Sequence, residues 1–173
     1  GGTRLDLCAI AKGFGVDAVA AHMRSQGVEA ALVEVGGELF GFGRKPDGAP
    51  WPVIVEGWQG DENDDRPPRV LAIDGIAVAT SGDRWHRREH QGRSVSHTLD
   101  PRSGHPVTNA PVAVTVAAGD AMRADAWATA LTVLGTQEGM EIARAHGLAA
   151  RFVDVRAGDG MEPVVEERMA PAF

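Results

Sequence analysis

The stretch from Ser94 to Gly135 constrains the fold more than any other, because within it the chain turns from strand-like to helix-like. It opens SVSHTLDPRSGHPV, a strand that runs into a turn, and passes through the strand-like PVAVTVAA. It ends in GDAMRADAWATALTVLG, which reads as a helix. On that helix Asp125 and Thr129 stand at i and i+4, so their side chains lie one above the other on one face, and both offer oxygen. Asp is a poor residue for a helix interior, and among Ala, Trp, Met and Leu an unpaired carboxylate is costly to bury. An Arg or Lys partner, exposure to water, or a metal ion would each meet that cost.

The remaining segments frame this one. A helix is expected from about Ala9 to Gln26, stopped at Gly27. Its first turn holds Lys12 and Gly13 rather than acidic residues, and a cation there opposes the helix dipole. Free backbone N–H groups with an ammonium would make a phosphate cradle, while a lysine reaching past a small-residue packing surface explains the same letters. AALVEVGGELFGFG reads as two strands about Gly36-Gly37, and WPVIVEG as another strand. GWQGDENDDRPPR reads as a polar surface loop, and RVLAIDGIAVATSGD as a compact hairpin about Asp74-Gly75. The polar turn Thr80-Ser81-Gly82-Asp83 presents two hydroxyls and free amides. His97 is expected on a strand, sharing a face with Val95, and RSGHP makes a second turn. Beyond the Asp125 helix, a second helix from about Gln137 to His146 leads into the strand AARFVDV, and the C-terminal tail supplies an edge strand.

Strands in runs with helices near both ends point to an α+β fold with mixed or antiparallel sheets and packed helices. The 173 residues suit one domain, and no apolar run approaches the roughly 20 residues that span a bilayer. A net charge of -7 argues against nucleic-acid binding, although RWHRREHQGR is locally basic, as a solvated hairpin or as a patch for a phosphorylated ligand. His86 and His90 have i,i+4 spacing but no evident third zinc ligand. Cys8 is the single cysteine, so no intrachain disulfide forms, and it reads as a small buried hydrophobe. The start GGTRLDL, without Met or a signal-like segment, reads as that of a fragment or processed chain.

Five blocks in order, DLCAIAKGFGVDAVA, VEVGGE, AVATSGD, SHTLDPRSGHPV and DAWATALTVLG, make the sequence resemble the FAD:protein FMN transferases, the ApbE family. The resemblance implies an ApbE-like domain lacking its N-terminal part, with residues 1–173 its C-terminal portion and the missing portion supplied in cis or in trans. It implies a Mg2+ site formed by the Ala9 carbonyl, Asp125 and Thr129, and flavin-nucleotide contacts from Asp6, Lys12, Leu99, Ser81 and Gly82. His97 matches a histidine that acts as general base or positions the attacking hydroxyl. Cys8 stands where the family usually has Gly, and Ala128 where some members have a further acidic residue.

The implied reaction uses FAD as substrate and transfers its FMN half to a Thr or Ser hydroxyl of an acceptor protein, with release of AMP. A Mg2+-dependent FAD pyrophosphatase and a non-catalytic flavin-binding module are the alternatives. Family habit implies a protein exported or tethered at the outer face of the cytoplasmic membrane.

Overall fold

The computed structural model describes residues 2, 5–55, 69–82, 88–90, 93–157 and 163–173. Helix α1 covers Ala11–Ser25, followed by strands β1 (Ala31–Val35) and β2 (Glu38–Phe42). Then come β3 (Trp51–Val55), β4 (Arg69–Ile73), β5 (Ile76–Ser81), β6 (Arg88–His90) and β7 (Arg93–Val95). Strands β8 (Leu99–Asp100), β9 (His105–Pro106) and β10 (Ala113–Ala118) lead to helix α2 (Ala121–Ala145), and β11 (Ala149–Ala157) and β12 (Pro163–Met169) complete the chain. The expected α+β class holds, and every described strand pair is antiparallel.

Six strands form the main sheet in the order β1-β2-β5-β10-β11-β12. Side chains alternate across a sheet, and one face carries Val33, Phe40, Phe42, Ala77, Ala79, Val114, Val116 and Phe152. Val16 and Ala20 of α1 and Ala124, Ala128 and Leu131 of α2 close that face into the core. Burying this apolar surface is the main force holding the two helices on the sheet. The second face meets the two-stranded ribbon β3-β4, and Gly41 leaves the space that Ile73 and Trp51 occupy there. The ribbon is also held by charge, because Arg69 pairs with Glu167 of β12.

The Asp74-Gly75 turn does not make the expected hairpin. β4 pairs with β3, whereas β5 lies between β2 and β10 in the main sheet. The turn instead passes the chain from one sheet to the other, with the Gly75 N–H bonded to the Gly41 carbonyl at 2.8 Å. The Gly36-Gly37 turn is the hairpin the sequence indicated, with both glycines at positive φ, 61° and 99°. The two helices expected on either side of Gly135 are present within α2, joined at a kink where Gly135 has φ 76° and ψ 171°. β12 is the edge strand expected of the C-terminal tail. Among the described residues no helix is long and apolar enough to cross a membrane. Most of the GWQGDENDDRPPR loop, Asp83 and the first half of the basic run, with His86, lie outside the described residues.

Candidate active site at the paired helix starts

The two helices meet at their N-terminal ends, and each supplies the other with a carboxylate. Asp17 of α1 accepts the N–H groups of Ala121 and Met122 at 2.8 and 2.9 Å. Asp125 of α2 accepts the N–H of Gly13 at 3.0 Å through Oδ2. Helix starts leave unpaired N–H groups and a partial positive charge, so each carboxylate is both a hydrogen-bond partner and a counter-charge. The approach is close because position 13 is glycine: a Cβ there would collide with the backbone of Ala121 and Met122.

This arrangement answers how Asp125 tolerates burial at 2 % exposure. Among the described residues it has no Lys or Arg partner; the start of α1 takes that role. Three amides of the expected phosphate cradle are already engaged. Gly13 donates to Asp125, Ala11 to the Leu7 carbonyl and Phe14 to the Ile10 carbonyl. Of that cradle the ammonium of Lys12 and its backbone N–H remain, the latter with no acceptor among the described residues.

Just before α1, Asp6 Oδ1 accepts the Cys8 N–H at 2.8 Å, which folds residues 8–10 into a turn. Because Gly13 donates to Asp125, the Ala9 carbonyl meets no donor among the described residues. Cys8 is exposed, not the buried hydrophobe expected, since it sits on the outside of this turn. Its thiol and N–H hold the Asp6 carboxyl below the usual range, and the same carboxylate pushes the thiol up. Cys8 is thus kept as a thiol rather than a thiolate.

One turn along α2, the Thr129 hydroxyl shares a hydrogen bond with Ser81 Oγ at 3.1 Å, at the end of β5. The next residue, Gly82, lies so close to Val112 and Ala113 that any side chain would strike their backbone. The Ala9 carbonyl, the Asp125 carboxylate and the Thr129 hydroxyl are all oxygen donors of the kind that suits a hard cation such as Mg2+. A carbonyl without a donor and a buried carboxylate without a cation fit that use. No cluster of three or more His, Cys, Asp or Glu exists among the described residues, so a zinc-type site is not formed there.

Lys12 leans over the Gly36-Gly37 turn and pairs with Glu38 Oε1 at 2.5 Å, with its ammonium 3.5 Å from the Gly36 carbonyl. Glu38 is 1 % exposed, and its Oε2 has no hydrogen-bond partner. Burial raises its pKa, Lys12 opposes that rise, and the charge of nearby Asp125 adds to it. Glu38 was not singled out from the sequence, although a signal exists. Strand alternation places it on the face of Phe40 and Phe42, which is the core face.

The structure thus places Lys12 in the first turn of α1 and Asp125 against that helix start through the Gly13 N–H, with Asp6 and Ala9 just ahead of α1 and the Ser81–Thr129 bond one turn further along α2. His97 lies in an exposed bend between β7 and β8 rather than on a strand, and Leu99 on β8 is 57 % exposed. Their hairpin, β8-β9, is shaped by Asp100, which accepts the Arg102 N–H at 2.9 Å and pairs with its guanidinium. Arg102 also reaches Glu138 at 3.6 Å, in the half of α2 beyond Gly135.

The sequence and fold are similar to those of known proteins. The chain is 37% identical over 167 residues to an FAD:protein FMN transferase of Vibrio cholerae, covering 96% of this chain and 49% of that protein. It is 35% identical over 158 residues to one of Salmonella typhimurium, covering 91% and 44%. The crystal structure of the Pseudomonas stutzeri flavinyl transferase ApbE, apo form, superposes with a TM-score of 0.82 at 40% identity over 98% of this chain and 50% of that one. The chain thus spans about half the length of the relatives it matches. The model of the ApbE family matches residues 1–152, and with it the chain belongs to the ApbE family.

Proposed function

We propose that this chain carries the flavin-nucleotide and metal site of an FAD:protein FMN transferase, acting with the part of the family's length that it does not match, in cis or in trans. The observation that supports this reading best is the buried Asp125 carboxylate, held on the α1 start by the Gly13 N–H with no Lys or Arg partner among the described residues, one helical turn from the Thr129 hydroxyl. Asp125, Thr129 and the Ala9 carbonyl would hold Mg2+, which when bound supplies positive charge against a pyrophosphate. Lys12 faces the same phosphates, and Asp6, Ser81, Gly82 and Leu99 contact the flavin nucleotide. The acceptor Thr or Ser oxygen forms a bond to the phosphorus of the FMN half. The bond from that phosphorus to the bridging oxygen breaks, and AMP leaves with that oxygen. His97 takes the hydroxyl proton.

The test is incubation with FAD and Mg2+, with and without a Thr-bearing acceptor peptide, following AMP and peptide-bound flavin. Asp125→Asn is run beside it, since the amide oxygen can still accept the Gly13 N–H. AMP release with labelled peptide, reduced at least about 100-fold in the variant, is the expected result. AMP without labelling would replace the transferase by a pyrophosphatase. FAD binding without AMP would leave a binding module.

A further inference from the structure

Glu38 is the most completely buried acid beside the site, and the transfer chemistry above gives it no role. It starts strand β2 directly after the glycine turn, and its carboxylate faces inward with Phe40 and Phe42. One oxygen binds Lys12 at 2.5 Å and the other binds nothing. Lys12 is different in kind: its side chain is 45% exposed, so the pair joins a fixed buried end to an open one. An ammonium has three N–H bonds. Glu38 Oε1 takes one, the Gly36 carbonyl at 3.5 Å lies near a second, and the third is left for a ligand.

A lysine on a flexible four-carbon stem is a poorly aimed charge unless something fixes it. A glutamate that pairs with a phosphate-binding lysine solves the same problem in other phosphoryl-transfer sites. The stem is guided as well, because the space that a side chain would fill at Gly36 lies 3.3 Å from Lys12 Cδ. A bulkier residue there would displace the lysine.

We infer that Glu38 is a positioning residue, which through its carboxylate holds the Lys12 ammonium in place to receive a pyrophosphate-bearing ligand. The inference rests on the flavin-nucleotide reading above. It differs from a simple charge argument in sign. If Glu38 only neutralised Lys12, removing its charge would strengthen the attraction for phosphate; if Glu38 aims Lys12, removing it weakens binding.

The experiment measures FAD, ADP and riboflavin binding to the whole chain in Mg2+ buffer, for wild type, Glu38→Gln, Lys12→Ala and the double variant. The expected result is about tenfold weaker FAD and ADP binding in Glu38→Gln, equivalent to one lost charge-assisted hydrogen bond. Riboflavin, which has no phosphate, should be unaffected. The double variant should bind no more weakly than Lys12→Ala alone, since a residue acting through Lys12 has nothing to act through once Lys12 is gone. Tighter or unchanged FAD binding in Glu38→Gln, or losses that add in the double variant, would overturn the inference and leave the flavin-nucleotide reading standing. No FAD or ADP binding by the wild type would overturn both. Should Glu38→Gln fail to fold, Glu38→Asp, which keeps the charge but draws it back by one methylene, is expected to give the same selective loss, and normal ADP binding there would overturn the inference.

Discussion

Glu38 and Glu167 are both acids drawn into the protein against a basic partner, at opposite ends of the main sheet, and the protein treats them differently. Glu167 on edge strand β12 is gripped by Arg69 through both carboxylate oxygens, at 3.2 and 2.9 Å, and by the buried Arg151 as well. Burial alone would raise its pKa, but the two guanidiniums outweigh it and hold it below the usual range. Glu38 on β2 has one lysine on one oxygen, and there burial prevails and the pKa rises. Full pairing makes the first a clamp between ribbon and sheet. Incomplete pairing makes the second a stressed group beside the site, held by the packing around it. A carboxylate left short of partners in a buried place marks where the fold gives up stability, and functional sites are where proteins do so.

The comparison breaks most visibly at Lys12. Lys12→Ala leaves Glu38 buried without a cation, and is expected to cost about 3 kcal/mol at neutral pH in denaturant unfolding. The cost should shrink as the pH falls through the raised Glu38 value, because a protonated Glu38 needs no cation. A loss that stays constant with pH would show that Glu38 is not the source.

Glu167→Gln is next, at about 2 kcal/mol at neutral pH, because it removes the carboxylate charge that the buried Arg151 and Arg69 share. The Glu167 pKa is depressed, so its stabilisation is present above the ordinary carboxylate range and is lost as the pH falls through the depressed value. Wild type and variant should therefore converge in acid. Thermal unfolding at several pH values measures this.

Glu38→Gln gives the smallest change and the opposite sign. A group whose pKa is raised by folding contributes fully below its unfolded value, and that contribution is lost as the pH rises through its folded value. At neutral pH the variant escapes the burial of a charge, and should match or exceed wild type by about 1 kcal/mol. The gap should close in acid. Were Glu38→Gln to destabilise as strongly as Glu167→Gln, the contrast between the two acids would collapse.

Part of the candidate site could be read from spacing, while Asp6, Ala9 and Leu99 were named only by the family resemblance. Asp125 and Thr129 needed only a helix to be brought together, and Gly36-Gly37 marked its own hairpin. Asp125's partner was not legible, because the N–H of Gly13 is 112 residues away and carries no side-chain letter to betray it. The Asp74-Gly75 turn misled for a related reason. Local turn chemistry specifies a reversal, but β3 and β10 compete for the strands on either side of it, and tertiary pairing decides. Glu38 was hidden by position. It follows two glycines that already explained the turn, and only the inward Phe40 and Phe42 reveal that the acid faces the core.

Gly13 and Lys12 are neighbours in one short motif, yet different pressures hold them. Gly13 is fixed by the backbone of Ala121 and Met122, and Asp17 by two N–H groups of the same helix. Neither constraint refers to any ligand. A descendant of this chain that had abandoned chemistry would still have to keep Gly13 and Asp17 in order to fold, while Lys12 and Glu38, the one exposed and the other strained, would be free to drift together. Loss of that second pair with retention of the first is therefore the mark by which a silent copy of this protein could be told from a working one.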